Sequence, residues 1–280
     1  MAADYLASLN VQLKKTEEYH STQAIDLGRY MALTIGTPHH YYKIVDIPET
    51  FQNFRERHDF DTTQGYVTNS GVSKVHRIIN YGKNMTPQRQ VYFSVEIDSI
   101  TREPIEFETV ELMDNGLSRF GIYDLEGHIK VAADKKVTKA GKVAKCMWCH
   151  ESIVQPLYRI QLDIPGYLTY EDLQDTLTHY SLASKNHQNQ IWKDKALLKR
   201  PNHTKMEITY IAFMEPSISH LTQEWNMSEN EVRSRISHLS SHRHEEFPFL
   251  GDLYNRKEID VIAPWKTFVI PESIRELSND

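Results

Sequence analysis

Three segments between residues 91 and 123 constrain the fold most, because each alternates apolar with polar side chains. They cover Val91–Ile97, 105–112 and 119–123, and they are rich in β-branched and aromatic residues. Such alternation is typical of strands with one buried face. Turn-forming residues separate the segments, among them Asn115-Gly116, a strong signal for a hairpin. The pattern predicts an antiparallel meander, with residues 128–131 as a candidate further strand.

Helical patterns flank this predicted sheet on both sides. Apolar spacing over 4–35 predicts two amphipathic helices that break near His20-Ser21, and a short helix is expected after Pro48. The stretch 65–81 fits a helix or a strand equally well. Later helices are predicted after Thr169, over 216–225, and over 228–239, where Ser228 and Glu231 have the spacing of a capping box. From Phe247 onward, repeated prolines predict an extended tail.

These elements together predict an α+β protein with N-terminal helices, a central antiparallel sheet and a helical C-terminal portion. We expect two regions. Residues 1–160 would contain the sheet and the C-x-x-C-H motif described below, and residues 161–280 would be mainly helical and end in the extended tail.

Charge and hydropathy narrow the classes of partner. The formal net charge of −6 and the scattered basic residues give no positive field for phosphates, so nucleic acid is not an expected partner. No apolar stretch approaches the roughly 18 residues of a membrane span, so none is expected. The chain also lacks the glycine-rich and G-x-S-x-G signatures of kinases, dehydrogenases and hydrolases, and whether it is an enzyme stays undecided.

The two cysteines of the chain both lie in Cys146-Met147-Trp148-Cys149-His150, which is the C-x-x-C-H pattern of covalent haem attachment. Two thiols about one helical turn apart can add to the two vinyl groups on one edge of a haem. The next residue then places its imidazole under the iron. The motif therefore predicts one haem c, with Cys146, Cys149 and His150 as cofactor-binding residues and His150 as the metal ligand.

Other uses of this cysteine pair compete with haem attachment. A thioredoxin-like redox pair would follow a strand and open a long helix, whereas a meander and a basic segment precede this motif. A zinc site would need two further ligands from scattered histidines. A structural disulfide, with His150 incidental, is the remaining alternative.

The motif resembles that of the c-type cytochromes. In addition, residues 119–127 followed by 145–150 are similar to the strand, turn and haem motif of the β-sheet cytochromes of the c-prime-beta type. The similarity covers residues 90–158. It implies a haem packed against an antiparallel sheet, His150 as the proximal ligand and an open or gas-accessible distal side. It identifies no distal residue, and a second axial ligand would be a methionine or histidine. The candidates are Met85, Met113, Met214, Met227, His76 and His128.

Two further patterns suggest other functions. Residues 221–236 resemble the helix-turn-helix of bacterial DNA-binding regulators, but the second helix begins with Glu229 and Glu231, whose carboxylates repel phosphates. A tight helix pair is the preferred interpretation. His238, His242 and His244 also form a group of potential metal ligands, and a solvated helix end explains them as well.

The sequence thus predicts a mono-haem c-type cytochrome for electron transfer or for binding of small ligands or gases. It would work in the periplasm or elsewhere outside the cytoplasm, with a redox partner that no motif identifies. Since Met1-Ala2-Ala3-Asp4 does not begin a basic and then apolar leader, this location requires that a leader has been removed from the sequence. The alternatives are a haem-free envelope protein with a disulfide or zinc at Cys146 and Cys149, and a helix-turn-helix regulator.

Overall fold

The computed structural model describes residues 2–70, 73, 75–137, 146–147, 150, 158–192, 203–244, 247–268 and 270. Within them the fold is α+β, as the sequence predicts. The helices are α1 (Ala2–Leu13), α2 (Glu17–Thr22), α3 (Leu27–Leu33), α4 (Pro38–Val45), α5 (Phe51–Glu56), α6 (Tyr170–Ile191), α7 (His203–Met214), α8 (Ile218–Trp225), α9 (Glu229–Ile236) and α10 (Arg256–Ile262). The strands are β1 (Phe60–Val67), β2 (His76–Gly82), β3 (Val91–Ile97), β4 (Pro104–Leu112) and β5 (Ser118–Tyr123).

The five strands form an antiparallel meander in the order β1-β2-β3-β4-β5. The predicted strands match β3, β4 and β5, and Gly116 at the β4–β5 hairpin has a φ of +79°, which glycine adopts without strain. β1 and β2 widen the sheet. After β5 the chain turns at 124–127 and runs back along that strand, where the Lys130 amide donates to the Ile122 carbonyl at 2.8 Å. The expected strand at 128–131 is therefore limited to isolated bridges.

One face of the sheet is apolar and is covered by α5. Thr50 caps this helix by accepting a hydrogen bond from the Asn53 amide. Phe51 then stacks on Phe107 of β4 at a centroid distance of 4.2 Å, and Phe54 is buried beside Phe93. Aromatic packing of this kind buries much apolar area and fixes the register of the helix on the sheet.

The opposite face of the sheet has an apolar half and a charged half. In the apolar half, Tyr81 and Tyr92 pack with Leu173 and Leu177 of α6, whose first turn is capped by Thr169 as predicted. In the charged half, the side chains on β2, β3 and β4 are Arg77, Glu96, Glu106 and Glu108. Arg77 of this charged half interacts with the charge of Cys146 in the C-x-x-C-H motif.

Contacts between Cα atoms divide the chain into two compact units, and the division differs from the one expected at residue 160. The described residues within Met1–Ile44 and Thr204–Glu276 form one unit, and those within Val45–His203 form the other. The N-terminal helices thus group with the C-terminal helices, because their apolar faces find partners there. No helix among the described residues is long and apolar enough to cross a membrane.

The discontinuous unit differs from the sequence predictions in two details. Residues 4–35 form three helices rather than two, since Thr16 caps α2 and Asp26 caps α3. The tail after Phe247 contains helix α10. The predicted pair α8 and α9 is confirmed, with the capping box of Ser228 and Glu231 and an apolar core with α10. That core consists of Leu221, Trp225, Val232, Ile236 and Ile259.

A buried ion cluster lies in the same unit. Glu224 of α8 accepts hydrogen bonds from Arg29 at 3.1 Å and from two nitrogens of Arg256 at 2.8 and 2.9 Å. Asp260 accepts from both arginines at 3.3 Å, and Glu18 pairs with Arg29 at 2.9 Å. Because both guanidiniums are almost fully removed from solvent, they need these carboxylates.

Candidate functional site

The backbone of the C-x-x-C-H motif is helical at Cys146, Met147 and His150. A helical turn brings residues four apart to the same side of the helix, so the Cys146 sulfur and the His150 imidazole can face one ligand. Both side chains are partly buried. Cys149, the second predicted attachment residue, lies outside the described residues.

Two contacts connect the motif with the sheet. The His150 ring lies 5.3 Å from the ring of Phe120, a buried residue of β5, at an interplanar angle of 37°. Cys146 lies close enough to Arg77 of β2 to interact with its charge. Burial lowers the pKa of Arg77, but Glu96, Glu108 and Cys146 outweigh burial and raise this pKa above its ordinary value. The described residues of the motif therefore lie on this sheet face, with Cys146 near Arg77 of the charged half and His150 against Phe120 of β5.

Three carboxyl groups form the floor of this region, and we call Glu96, Glu106 and Glu108 the sheet carboxyl cluster. Glu96 of β3 is directly opposite Glu106 of β4, and Glu108 is two residues further along β4 on the same face. Glu96 pairs with Arg77 at 3.2 Å and accepts a hydrogen bond from the Ser94 hydroxyl at 2.7 Å. Like charges directly opposite each other destabilise a sheet, so this arrangement needs compensation.

The segment after β5 supplies part of that compensation to Glu106, which is fully buried. Its Oε2 accepts hydrogen bonds from the Lys130 ammonium at 2.5 Å and from the Asp134 backbone amide at 2.9 Å. Its Oε1 is buried and has no hydrogen-bond partner among the residues that the structure describes. One oxygen of Glu106 is thus bound by a cation, and the other has no hydrogen-bond partner in the described part of the chain.

Burial raises the pKa of all three carboxyl groups. For Glu106, loss of solvent outweighs the hydrogen bond from Lys130, and together with the charge of Glu108 it raises the pKa to about 7. For Glu108, loss of solvent and the charge of Glu96 outweigh Arg77 and Lys130, and the pKa again rises to about 7. Burial likewise raises the pKa of Glu96 against the pull of Arg77 and Ser94. Glu106 and Glu108 are therefore expected to be only partly ionised near neutral pH.

The sheet carboxyl cluster was not predicted from the sequence. In β4 the glutamates alternate with apolar residues, and alternation normally places charged side chains in solvent. Here the chain after β5 folds back over that face, and Lys130 and Asp134 bury Glu106 from above. The one available signal was the short distance in sequence between β5 and the C-x-x-C-H motif.

The candidates for a second axial ligand occupy different surroundings. Met85 packs in the apolar half of the sheet face, and His76 contacts Tyr66 and Arg102 on the opposite face. His128 is exposed and pairs with Asp124. Met214 and Met227 belong to the other unit, where Met214 is buried. Met113 lies in the β4–β5 turn, where its backbone amide pairs with the Leu117 carbonyl.

Metal binding by side chains alone finds little support in the described part of the chain. It holds no group of three or more His, Cys, Asp or Glu side chains arranged to bind an ion. His238 and His242 do not share a helix, because α9 ends at Ile236. His242 instead pairs with Glu215 at 3.0 Å, and His244 is buried against Phe247.

No protein-family model, no curated protein and no solved structure matches the chain. The similarity to the β-sheet cytochromes therefore stays a prediction from the sequence. Arguments about function rest on the motif, its helical backbone and the side chains that surround it.

Proposed function

We propose that the chain is a mono-haem c-type cytochrome that transfers electrons or binds small ligands outside the cytoplasm. The observation that carries the proposal is the placement of both cysteines of the chain in one C-x-x-C-H motif. The helical backbone at Cys146, Met147 and His150 supports it, because attachment of a haem through this spacing requires about one helical turn.

The described side chains fit such a group. The aromatic ring of Phe120 beside His150 offers an apolar contact and restricts the orientation of the imidazole, as neighbours of a metal-ligating histidine generally do. Arg77 and Lys130 lie at the charged half of the face, where they pair with Glu96 and Glu106. When bound, the haem would supply one-electron redox chemistry or bind a small ligand, and His150 would hold its iron.

An absorption spectrum of exported protein tests the proposal. The chain is directed to the periplasm by an added leader, in cells that contain the haem-attachment apparatus, and is then purified. We expect a Soret band that survives acid-acetone extraction and an intact mass increased by one haem. The double variant Cys146→Ser/Cys149→Ser should lose covalent haem, whereas the exposed-site control Glu126→Gln should retain it.

The alternatives give different results in the same preparation. A structural disulfide predicts a colourless protein whose mass is two hydrogens below that of the reduced chain. Bound zinc predicts a colourless protein with one zinc per chain by elemental analysis. Either result, in cells that mature a reference cytochrome normally, would contradict the cytochrome assignment.

A further inference from the structure

The balance of charge beneath the motif is unusual for the buried face of a sheet. Three carboxyl groups, Glu96, Glu106 and Glu108, share this face with two cations, Arg77 and Lys130. Among the residues that the structure describes, these five groups would leave one negative charge uncompensated if all of them were ionised. Burying such a charge is costly, and binding one proton removes it.

The sheet register brings this cluster close to His150. Phe120, which contacts the imidazole, is paired with Val110 of β4, and Glu108 lies two residues from Val110 on the same face. Neighbouring strands are about 4.8 Å apart and alternate residues about 6.8 Å apart along a strand. Glu108 is therefore on the strand next to that of Phe120, two residues further along on the same face. Phe120 is the residue whose ring contacts the His150 imidazole.

We propose, on the basis of the proposed cytochrome function, that the sheet carboxyl cluster takes up a proton when the iron held by His150 is reduced. A redox partner protein supplies the electron, and the iron changes from the ferric to the ferrous state. Solvent supplies the proton, and one O–H bond forms on a glutamate carboxylate. The charge of the whole site is then the same before and after reduction.

The physical cause is the loss of one positive charge at the iron. A ferric centre attracts nearby carboxylates and favours their ionised form more strongly than a ferrous centre does. Since Glu106 and Glu108 have pKa values of about 7, a modest change in this attraction changes their protonation at neutral pH. Oε1 of Glu106, buried and without a hydrogen-bond partner among the described residues, is the atom that we expect to receive the proton.

Among the described residues, the charged and titratable groups beside the cluster come from β2, from the segment after β5 and from the motif. They are Arg77, then Lys130 and Asp134, and Cys146, whose charge acts on Arg77. His150 lies against Phe120 of β5. Arg77 keeps its charge at every accessible pH, because its pKa is raised above an already high value. The two glutamates of β4 are therefore the groups expected to change charge around neutral pH.

Spectroelectrochemical titration of the haem-loaded protein from pH 5 to pH 9 tests the inference. We expect the midpoint potential to fall as pH rises through the region around 7, with a limiting slope of about 59 mV for each tenfold change in proton concentration. Reduction in unbuffered solution near pH 7 should take up a measurable fraction of one proton per electron. This second measurement needs only the wild-type protein.

Two variants assign the proton to the cluster. Glu106→Gln/Glu108→Gln keeps the shape of both side chains but removes their titration, so the slope around pH 7 should be lost. Glu126→Gln alters an exposed glutamate of the same unit and should keep the wild-type slope. Haem carboxylates and His150 are unchanged in both variants, so a slope that survives in the double variant would overturn the inference.

The outcomes separate this inference from the proposed function. A haem-bearing protein with a potential independent of pH, and with no proton uptake, contradicts the inference and leaves the cytochrome assignment intact. Exported protein without haem contradicts both.

Discussion

Opposing interactions act on the pKa of the Glu106 carboxyl group. Burial and the neighbouring Glu108 favour its protonated form, while Lys130 and the Asp134 amide favour its ionised form. Burial prevails, because a single ammonium cannot replace the water that a buried carboxylate loses. The same argument applies to Glu108, for which burial and the charge of Glu96 outweigh the positive charges of Arg77 and Lys130.

This balance predicts a measurable dependence of stability on pH. The ordinary pKa of a glutamate is 4.5, and in the folded chain Glu106 titrates at about 7, so the folded state binds the proton more tightly. Between these two values the contribution of Glu106 to the free energy of unfolding falls as pH rises, by at most about 1.4 kcal/mol per pH unit. Below pH 4.5 this contribution is fully present. Urea denaturation of wild type and Glu106→Gln should therefore show a difference in stability that changes across pH 4.5–7.

The exposed-site variant Glu126→Gln provides the reference for that series. It should follow the wild-type profile throughout, because its carboxyl group is in solvent. If the difference between wild type and Glu106→Gln were constant over the same range, the raised pKa of Glu106 would be contradicted.

Two glutamates on neighbouring helices allow a matched comparison of buried and exposed ion pairs. Glu224 of α8 binds two buried arginines, whereas Glu229 of α9 binds the exposed Arg233 at 2.6 Å. Glu224→Ala removes the acceptor of three hydrogen bonds from the two buried guanidiniums and should cost about 3–5 kcal/mol of stability. Glu229→Ala should cost about 1 kcal/mol or less. Denaturation monitored by circular dichroism measures both values, and equal losses would contradict this account of the buried ion cluster.

At the scale of elements, the turn between α8 and α9 depends on the backbone of Asn226. This residue ends α8 in the left-handed conformation with a φ of 51°, and its amide bonds back to the carbonyls of Thr222 and Gln223. Asparagine and glycine tolerate this region, whereas β-branched residues do not.

We therefore expect Asn226→Gly to leave the stability within about 0.5 kcal/mol of wild type and Asn226→Val to lower it by about 1–2 kcal/mol. Thermal unfolding followed by circular dichroism compares the two. Equal midpoints for both variants would show that the left-handed conformation does not limit this turn.

Sequence periodicity predicts the strands in which apolar and polar residues alternate regularly. It does not identify the strands in which they do not. β3, β4 and β5 alternate cleanly and are separated by turn residues, so both their type and their order could be predicted. β2 was left undecided because it has apolar residues at consecutive positions, Ile78 and Ile79, and both sheet faces are partly covered there. β1 was missed because its first half is exposed and polar. Alternation of apolar and polar residues indicates only those strands that are buried on one face.

The candidate site could be predicted in part for the same reason. Cys146 and His150 are predicted as site residues because their spacing meets a chemical requirement that does not depend on the fold. The sheet carboxyl cluster depends on which segment folds back over β4, and local sequence does not encode that contact. Lys130 and Asp134, which bury Glu106, lie 24 and 28 positions after it in the sequence. A local sequence pattern does not predict contacts over such separations.

At the scale of the whole molecule, one compact unit is discontinuous in sequence. Its described residues come from Met1–Ile44 and from Thr204–Glu276. In the sequence, the residues of the sheet unit come between these two stretches. The predicted boundary near residue 160 followed the change from strands to helices. The sequence does not show that the first four helices belong to the same unit as the last four. An amphipathic helix has the same apolar pattern whichever element its apolar face packs against.

This interrupted connectivity has a consequence for biogenesis. A ribosome completes the whole sheet and the C-x-x-C-H motif before it has made the helices with which α1 to α4 pack. Until residues 204–276 have been made, the early helices keep apolar surface exposed. The sheet unit can therefore become compact before the discontinuous unit does, and chaperone dependence should concentrate on the amino-terminal helices.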